Sequence, residues 1–348
     1  MHATAEIIKP PKPTIDVVYA GGTISSLATP EGYREGGHVT DLLGPLEQHK
    51  PGFQDTLTIG QTAVAYSGLS ENIDEQELRN IEHVVTEALG HGPYSVVLTH
   101  GTDSMEQTGR SLRARLIERL RTRNQRIILT GANDDVSTPD TDVWDNLGFT
   151  FDCAASDIEP GVYIAFHDKL IPADLAVKEP FNGVAMNFAS RDDPAYQEAV
   201  RRQQAEAQRL IGQLAAVYGR QPEALPDIVD YRVNFIRNNH RELLDYTDTH
   251  DVRAVLLTLY HSGTANTANS ELSVAELAKK LNREKGIVLF GVTENGEPVN
   301  FGAYETSVKL KEAGIVPLGD MLHDVALAKL RLINPKVTTD ELKQEMQK

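Results

Sequence analysis

The sequence predicts an α/β protein of two domains, a larger N-terminal parallel-sheet domain and a smaller C-terminal α/β domain. Three observations carry that expectation. Short apolar runs of strand length alternate with segments of helical periodicity, the pattern of a parallel sheet with crossover helices. A polar, Gln- and Arg-rich helical segment interrupts this alternation after residue 190. The alternation then resumes on a smaller scale. Residues 1–190 are expected to form the first domain, 191–226 a helical linker or insertion, and 227–348 the second domain. At 348 residues, two cores are the natural division.

"IDVVYA" at 15–20 reads as the first strand, rich in β-branched and aromatic residues. Residues 74–90 place Leu78, Ile81, Val84, Val85 and Leu89 at helical spacing, closed by Gly90. "YSVVLTH" at 94–100 is a second strand, and 104–121 a helix with a basic C-terminal end. "QRIILTG" and "GVYIAFHD" supply two more strands. Residues 192–219 read as a helix with a solvated charged face. Beyond it, "DYRVNFIRNN", "RAVLLTLYHSG" and "GIVLFGVTE" read as strands, and "SVAELAKKLNRE" and "DVALAKLRLI" as helices.

Composition narrows the function classes. The chain is 40% hydrophobic and 24% charged, with a formal net charge of −16. Nucleic acid and anionic membrane surfaces need clustered Lys and Arg, so neither is an expected partner. The single cysteine, Cys153, excludes an intramolecular disulfide, and in "FTFDCAAS" it reads as a buried thiol. Eleven histidines show no HExxH or paired spacing, so no metal is expected. No G-x-G-x-x-G or P-loop is present, so no cofactor is expected. Without an apolar h-region or membrane-length run, a cytoplasmic protein is expected.

Chemistry in open parallel sheets gathers beyond the carboxyl ends of the strands. Two strand ends here carry a Gly-Thr pair: "YAGGTISS" at 19–26 and "VVLTHGTDS" at 96–104. Gly21 and Gly22 are either a plain turn or a clearing that lets a substrate approach Thr23. A threonine hydroxyl becomes a nucleophile when a neighbouring base takes its proton, and a desolvated lysine can be that base. Asp103 suits a substrate ammonium. These residue types fit acyl transfer.

Those two motifs resemble the signatures of the bacterial-type L-asparaginases and glutaminase-asparaginases. The resemblance continues through "SEN" at 70–72, "TGA" at 130–132 and "GAYETSVKLKEAGIV" at 302–316. It implies that Thr23 is the primary nucleophile and that Tyr33, in a mobile loop with Gly32, Gly36 and Gly37, polarises it. It implies that Thr102, Asp103 and Lys178 act together, with Lys169 the competitor for the lysine's place. The substrate-contacting set is then Gly22, Ser70, Glu71, Thr102 and Asp103, with Ser70 and Glu71 on the α-carboxylate and α-amine. The implied activity is hydrolysis of L-asparagine to L-aspartate and ammonia, by an acyl-enzyme or by direct displacement. A relaxed glutaminase, another small-amide or lactone hydrolase, and a silent amino-acid-binding subunit are the alternatives. The resemblance further implies a homodimer or homotetramer whose sites lie between the N-terminal domain of one subunit and the C-terminal domain of its neighbour. Two segments depart from the family pattern: "NDDVSTPDTDVWDNL" at 133–147, and "YHSGTANT" at 260–267, where a Gly-x-Gly-Asn turn is usual.

Overall fold

The computed structural model describes residues 12–28, 34–35, 42–90, 92, 95–179, 187–233, 240–268, 271, 273–294 and 296–348. Two α/β units are present, each with its own sheet. The first sheet has six strands in the order Thr58–Tyr66, Thr14–Ala20, Ser95–His100, Arg126–Thr130, Gly161–Phe166 and Lys169–Pro172. The first five are parallel and the last is antiparallel to its neighbour. The expected parallel sheet therefore carries one antiparallel edge, a common variation on doubly wound sheets. The Ser95–His100 and Arg126–Thr130 strands are buried at every residue. Helices cover both faces, which is why these strands read as unbroken apolar runs rather than alternating ones.

The helices seal the sheet with their apolar faces, although Val84, one of the positions the periodicity selected, is only half-buried. In Glu75–Gly90, Leu78, Ile81, Val85 and Leu89 are buried. Met105–Arg123 buries Leu112, Leu116 and Leu120 and ends at Asn124, whose left-handed φ of 55° turns the chain into the next strand. Arg121 and Arg123 lie in its last turn, where cations complement the helix dipole. Cys153 is buried in the helix Val143–Ala155, and burial pushes its thiol up to about 11.

The second sheet has four parallel strands in the order Ile228–Arg232, Ala254–Leu259, Val288–Thr293 and Val316–Pro317. Apolar clusters fill both of its faces. Val274–Lys285 begins at Ser273, whose hydroxyl accepts from the Glu276 N–H, and ends at Gly286. Between the two sheets runs one helix of 25 residues, Pro194–Tyr218. The Asp193 side chain caps its start and Gly219, at φ 65°, closes it. Ala207 and Ala215 are its buried residues, and it packs on the helix His323–Leu332. Among the described residues, no helix is long and apolar enough to cross a membrane.

Candidate active site

The Thr14–Ala20 strand ends in Gly21, Gly22 and the short turn Thr23–Ser25. A Cβ at Gly21 would stand 2.2 Å from the Gly68 carbonyl oxygen, and one at Gly22 2.2 Å from the Gly101 Cα. Gly22 also holds φ 82° and ψ 179°, a region that costs any other residue about 1–3 kcal/mol. The two glycines are therefore more than a turn. They let the first strand end pack directly on the second, where Ser95–His100 delivers Gly101, Thr102 and Asp103. Gly22 contributes shape rather than a free donor, because its N–H is bonded to the Gly68 carbonyl at 2.9 Å.

Gly101 repeats the device. A Cβ there would meet the Ser70 hydroxyl oxygen at 2.4 Å, so its absence seats the Ser70–Asn72 turn against the site. Ser104 donates to the Ser70 carbonyl at 2.8 Å and fixes the two segments together. One cavity results, lined by Gly22, Thr23, Ser70, Glu71, Gly101, Thr102 and Asp103 with Ser262 and Tyr304. Its volume is about 10 Å³, room for about one water.

Lys178 arrives from the other side. It ends the three-residue strand Ala176–Lys178, and its N–H donates to Glu106 Oε2 at 3.1 Å. Its Nζ donates to Thr102 Oγ1 at 3.0 Å and to Asp103 Oδ1 at 2.7 Å. The Lys178 side chain is 1% exposed. Lys169 stands elsewhere, donating to Glu179 and to the Phe188 carbonyl. Behind Lys178 a larger cavity of about 440 Å³ opens toward Tyr196, Arg232 and His261, and none of Thr23, Ser70 and Glu71 lines it.

The two acidic groups are driven apart. Burial raises the Asp103 carboxyl, but the Lys178 ammonium and the hydroxyl of Thr264 outweigh burial and hold it below the ordinary range. Burial and the negative charge of Asp103 push Glu71 up to about 8. One carboxylate is thus kept charged and one kept neutral at pH 7. His100, at the strand end, is pushed down to about 4 by burial, and its Nδ1–H donates to the Gly101 carbonyl at 2.8 Å. It is a neutral, structural imidazole.

Sequence reasoning missed four contributors. Ser262 donates to Asp103 Oδ1 at 2.8 Å and Thr264 to Asp103 Oδ2 at 2.6 Å. Thr306 donates to Glu71 Oε1 at 2.5 Å, and Tyr304 lines the cavity. Ser262 and Thr264 follow the end of the Ala254–Leu259 strand, so the strand-end rule applied to the second sheet points to them. The other departing segment does something different. Asp142 accepts from the Asn133 and Asp134 N–H groups and pairs with His167, in a separate groove that contains none of the cavity residues. Tyr33, Gly32, Gly36 and Gly37 lie outside the described residues. Among the described residues, no group of three or more His, Cys, Asp or Glu stands close enough to hold a metal ion.

The chain that builds this site is similar to known proteins over almost its whole length. L-asparaginase 1 of Escherichia coli K12 is 27% identical over 349 residues, covering 96% of this chain and 96% of its own. A component of the glutamyl-tRNA(Gln) amidotransferase of Methanothermobacter thermautotrophicus is 24% identical over 343 residues, covering 97% of this chain and 75% of that protein. Among solved structures, the thermostable L-asparaginase from Thermococcus kodakarensis aligns over 96% of this chain and 97% of that one, at 21% identity and a TM-score of 0.42. The family model described as "Asparaginase, N-terminal" matches residues 14–209, which is more than half of the 348 residues and spans both strand ends and Lys178. On that match the chain belongs to the asparaginase family.

Proposed function

We propose that the protein is an amidohydrolase that releases ammonia from the side-chain amide of L-asparagine. The observation that supports this most directly is the buried contact of Lys178 with both Thr102 and Asp103, beside a cavity that also holds Thr23. In this reading Thr23 Oγ1 attacks the amide carbon and gives up its proton. The C–N bond breaks, nitrogen takes a proton and leaves as ammonia, and water then frees aspartate from the acyl-enzyme. Thr102 and Lys178 carry protons between these steps. Direct displacement by water activated at Thr102 uses the same groups. Asp103 and Glu71 take the α-ammonium and Ser70 the α-carboxylate. A homodimer or homotetramer belongs to this reading, and light scattering checks it.

Ammonia release from a panel of amides tests the reading. The kcat/KM for L-asparagine should exceed that for propionamide and succinamic acid, because a substrate lacking the α-ammonium or α-carboxylate leaves buried polar partners unpaired. L-glutamine should fall between. A preference for the stripped amides would end the amino-acid reading while leaving the threonine chemistry standing. A second reading, in which the chain serves a larger amidotransferase, draws on the amidotransferase relatives. Ammonia release from free L-asparagine by the chain alone argues against that reading.

Glu71 gives the reading a pH signature. Its folded-state value of about 8 lies above the ordinary 4.5. Protonated at neutral pH, it offers an ammonium no charge; ionised, it does. The kcat/KM for L-asparagine should therefore rise with pH through an apparent pKa near 8. Glu71→Gln should abolish that limb, and its persistence in the variant would assign it to another group. Stability should run the opposite way. The fold retains this proton where the unfolded chain has lost it, so the contribution of Glu71 falls as pH rises from about 4.5 to 8.

A further inference from the structure

The strand that ends in Lys178, Ala176–Lys178, pairs among the described residues only with the equally short Phe188–Ser190, antiparallel to it. The Glu179 N–H donates to the Asn187 carbonyl at 2.9 Å and the Arg191 N–H to the Leu175 carbonyl at 2.8 Å. The odd-numbered positions therefore face the partner strand. Successive residues of an antiparallel pair alternate in this respect. The Lys178 N–H thus points away from the partner, off the other edge of a two-stranded sheet. What meets it there is a side chain: Glu106 Oε2 accepts it at 3.1 Å.

Glu106 belongs to the strand end that carries Thr102 and Asp103. It stands in the first turn of the helix Met105–Arg123, which starts directly after Ser104. The turn has fixed geometry, so the Glu106 backbone is held in one relation to Asp103. Arg110, one turn on, donates to Glu106 Oε1 at 2.6 Å and leaves Oε2 to the lysine. Residues 102–106 thus grip Lys178 twice. Thr102 Oγ1 and Asp103 Oδ1 take its Nζ at 3.0 and 2.7 Å, and Glu106 takes its backbone. A lysine head sits on a flexible stem and reaches many positions from one backbone. Holding both ends removes that freedom. Glu106 is itself buried, and it lines the larger cavity rather than the one that holds Thr23.

We propose that Glu106 is a positioning residue, whose carboxylate holds the Lys178 backbone so that Nζ arrives between Thr102 and Asp103. Its part in turnover rests on the asparaginase reading; its grip on the lysine does not. Because Glu106 does not line the cavity, its effect on rate passes through Lys178 and leaves substrate binding alone. Glu106→Leu removes the acceptor. It should lower kcat for L-asparagine about ten- to a hundredfold, the cost of a misplaced catalytic group, with little change in KM. Glu106→Gln keeps an oxygen for the Lys178 N–H. The Arg110 side chain, 31% exposed, can turn from the new amide to solvent, so most of the turnover should return. In a Lys178→Met chain, Glu106→Leu should cost nothing further. A rise in KM with kcat unchanged overturns the role. So does a glutamine variant as poor as the leucine one, or an equal loss in the Lys178→Met chain.

A second measurement needs no substrate. Acetic anhydride acetylates the amines that solvent reaches, and peptide mass spectrometry of the full chain reads each lysine separately. Lys178 should be protected in the parent and in Glu106→Gln, and should react at least about tenfold faster in Glu106→Leu, where the local structure opens more readily. Lys329, buried in the second unit, reports general loosening and should stay as slow as in the parent. An unchanged rate at Lys178, or parallel rises at Lys178 and Lys329, overturns the grip. If Glu106→Leu does not fold, Glu106→Asp replaces it with the same expectations, its carboxylate about 1.5 Å short of the Lys178 N–H. A chain inactive on every amide of the panel ends the asparaginase reading, and acetylation still decides whether Glu106 holds the lysine.

Discussion

Thr23→Ala is expected to lower kcat for L-asparagine at least about a hundredfold, because a lost nucleophile leaves only binding and electrostatic contributions to the rate. The expectation rests on where the chain puts the side chain. Thr23 is 5% exposed and faces the cavity shared with Ser70, Glu71, Thr102 and Asp103. The backbone around it is fixed by the Gly22 N–H bond to Gly68, by the Ser25 and Ser26 N–H bonds to the Gly22 and Thr23 carbonyls, and by the Ser26 hydroxyl on the Thr23 carbonyl. None of these bonds uses the Thr23 side chain. The alanine variant should therefore keep its fold, with a thermal midpoint close to the parent's. Thr23→Ser keeps the oxygen and should retain much of the activity. Near-normal turnover by Thr23→Ala would transfer the nucleophile's role to Thr102 or to water.

How much of this was legible before the structure depends on the kind of signal. The central strands were, because burial on both faces writes an unbroken apolar run. The Thr58–Tyr66 strand was not: it is a sheet edge, mostly exposed, and its sequence shows neither a run nor clean alternation. The antiparallel Lys169–Pro172 strand is four residues long and leaves no pattern to read. The Gly-Gly-Thr and Gly-Thr-Asp strand ends were visible as motifs, but the close approach of Gly22 to Gly101 is a fact of packing. Lys178 came only through family resemblance, since nothing local to a three-residue strand marks a lysine as buried. Ser262, Thr264 and Thr306 escaped because they meet Asp103 and Glu71 across more than 150 residues of chain. Spacing rules reach a helix turn or a hairpin, not across two sheets.

The largest losses after Thr23 should come from Thr102 and Lys178, and they should not add. Thr102→Val and Lys178→Met are each expected to reduce kcat by about two to four orders of magnitude, the range general acid–base partners supply. The double variant should be little worse than the poorer single one. The reason is geometric. Lys178 Nζ reaches Thr102 Oγ1 and Asp103 Oδ1 from a position with almost no solvent, so in the proposed mechanism the lysine would act through the threonine. Groups that pass one proton between them fail together. Lys178→Met has a second consequence, because it leaves Asp103 buried with only hydroxyl partners. An uncompensated buried charge of this kind costs about 3–5 kcal/mol of stability. Loss of Lys178 should also raise the Asp103 carboxyl, so the damage should be smaller at pH 5 than at pH 8. Asp103→Asn combined with Lys178→Met removes the orphaned charge and should recover stability without recovering turnover. That separation is the measurement to make: thermal midpoints for the four chains beside their kcat values. Additive losses in kcat between Thr102→Val and Lys178→Met would mean that the two residues serve different steps. An active Lys178→Met would leave Thr102 in need of another base, and Lys169, bonded to Glu179 and Phe188, is not placed to be one.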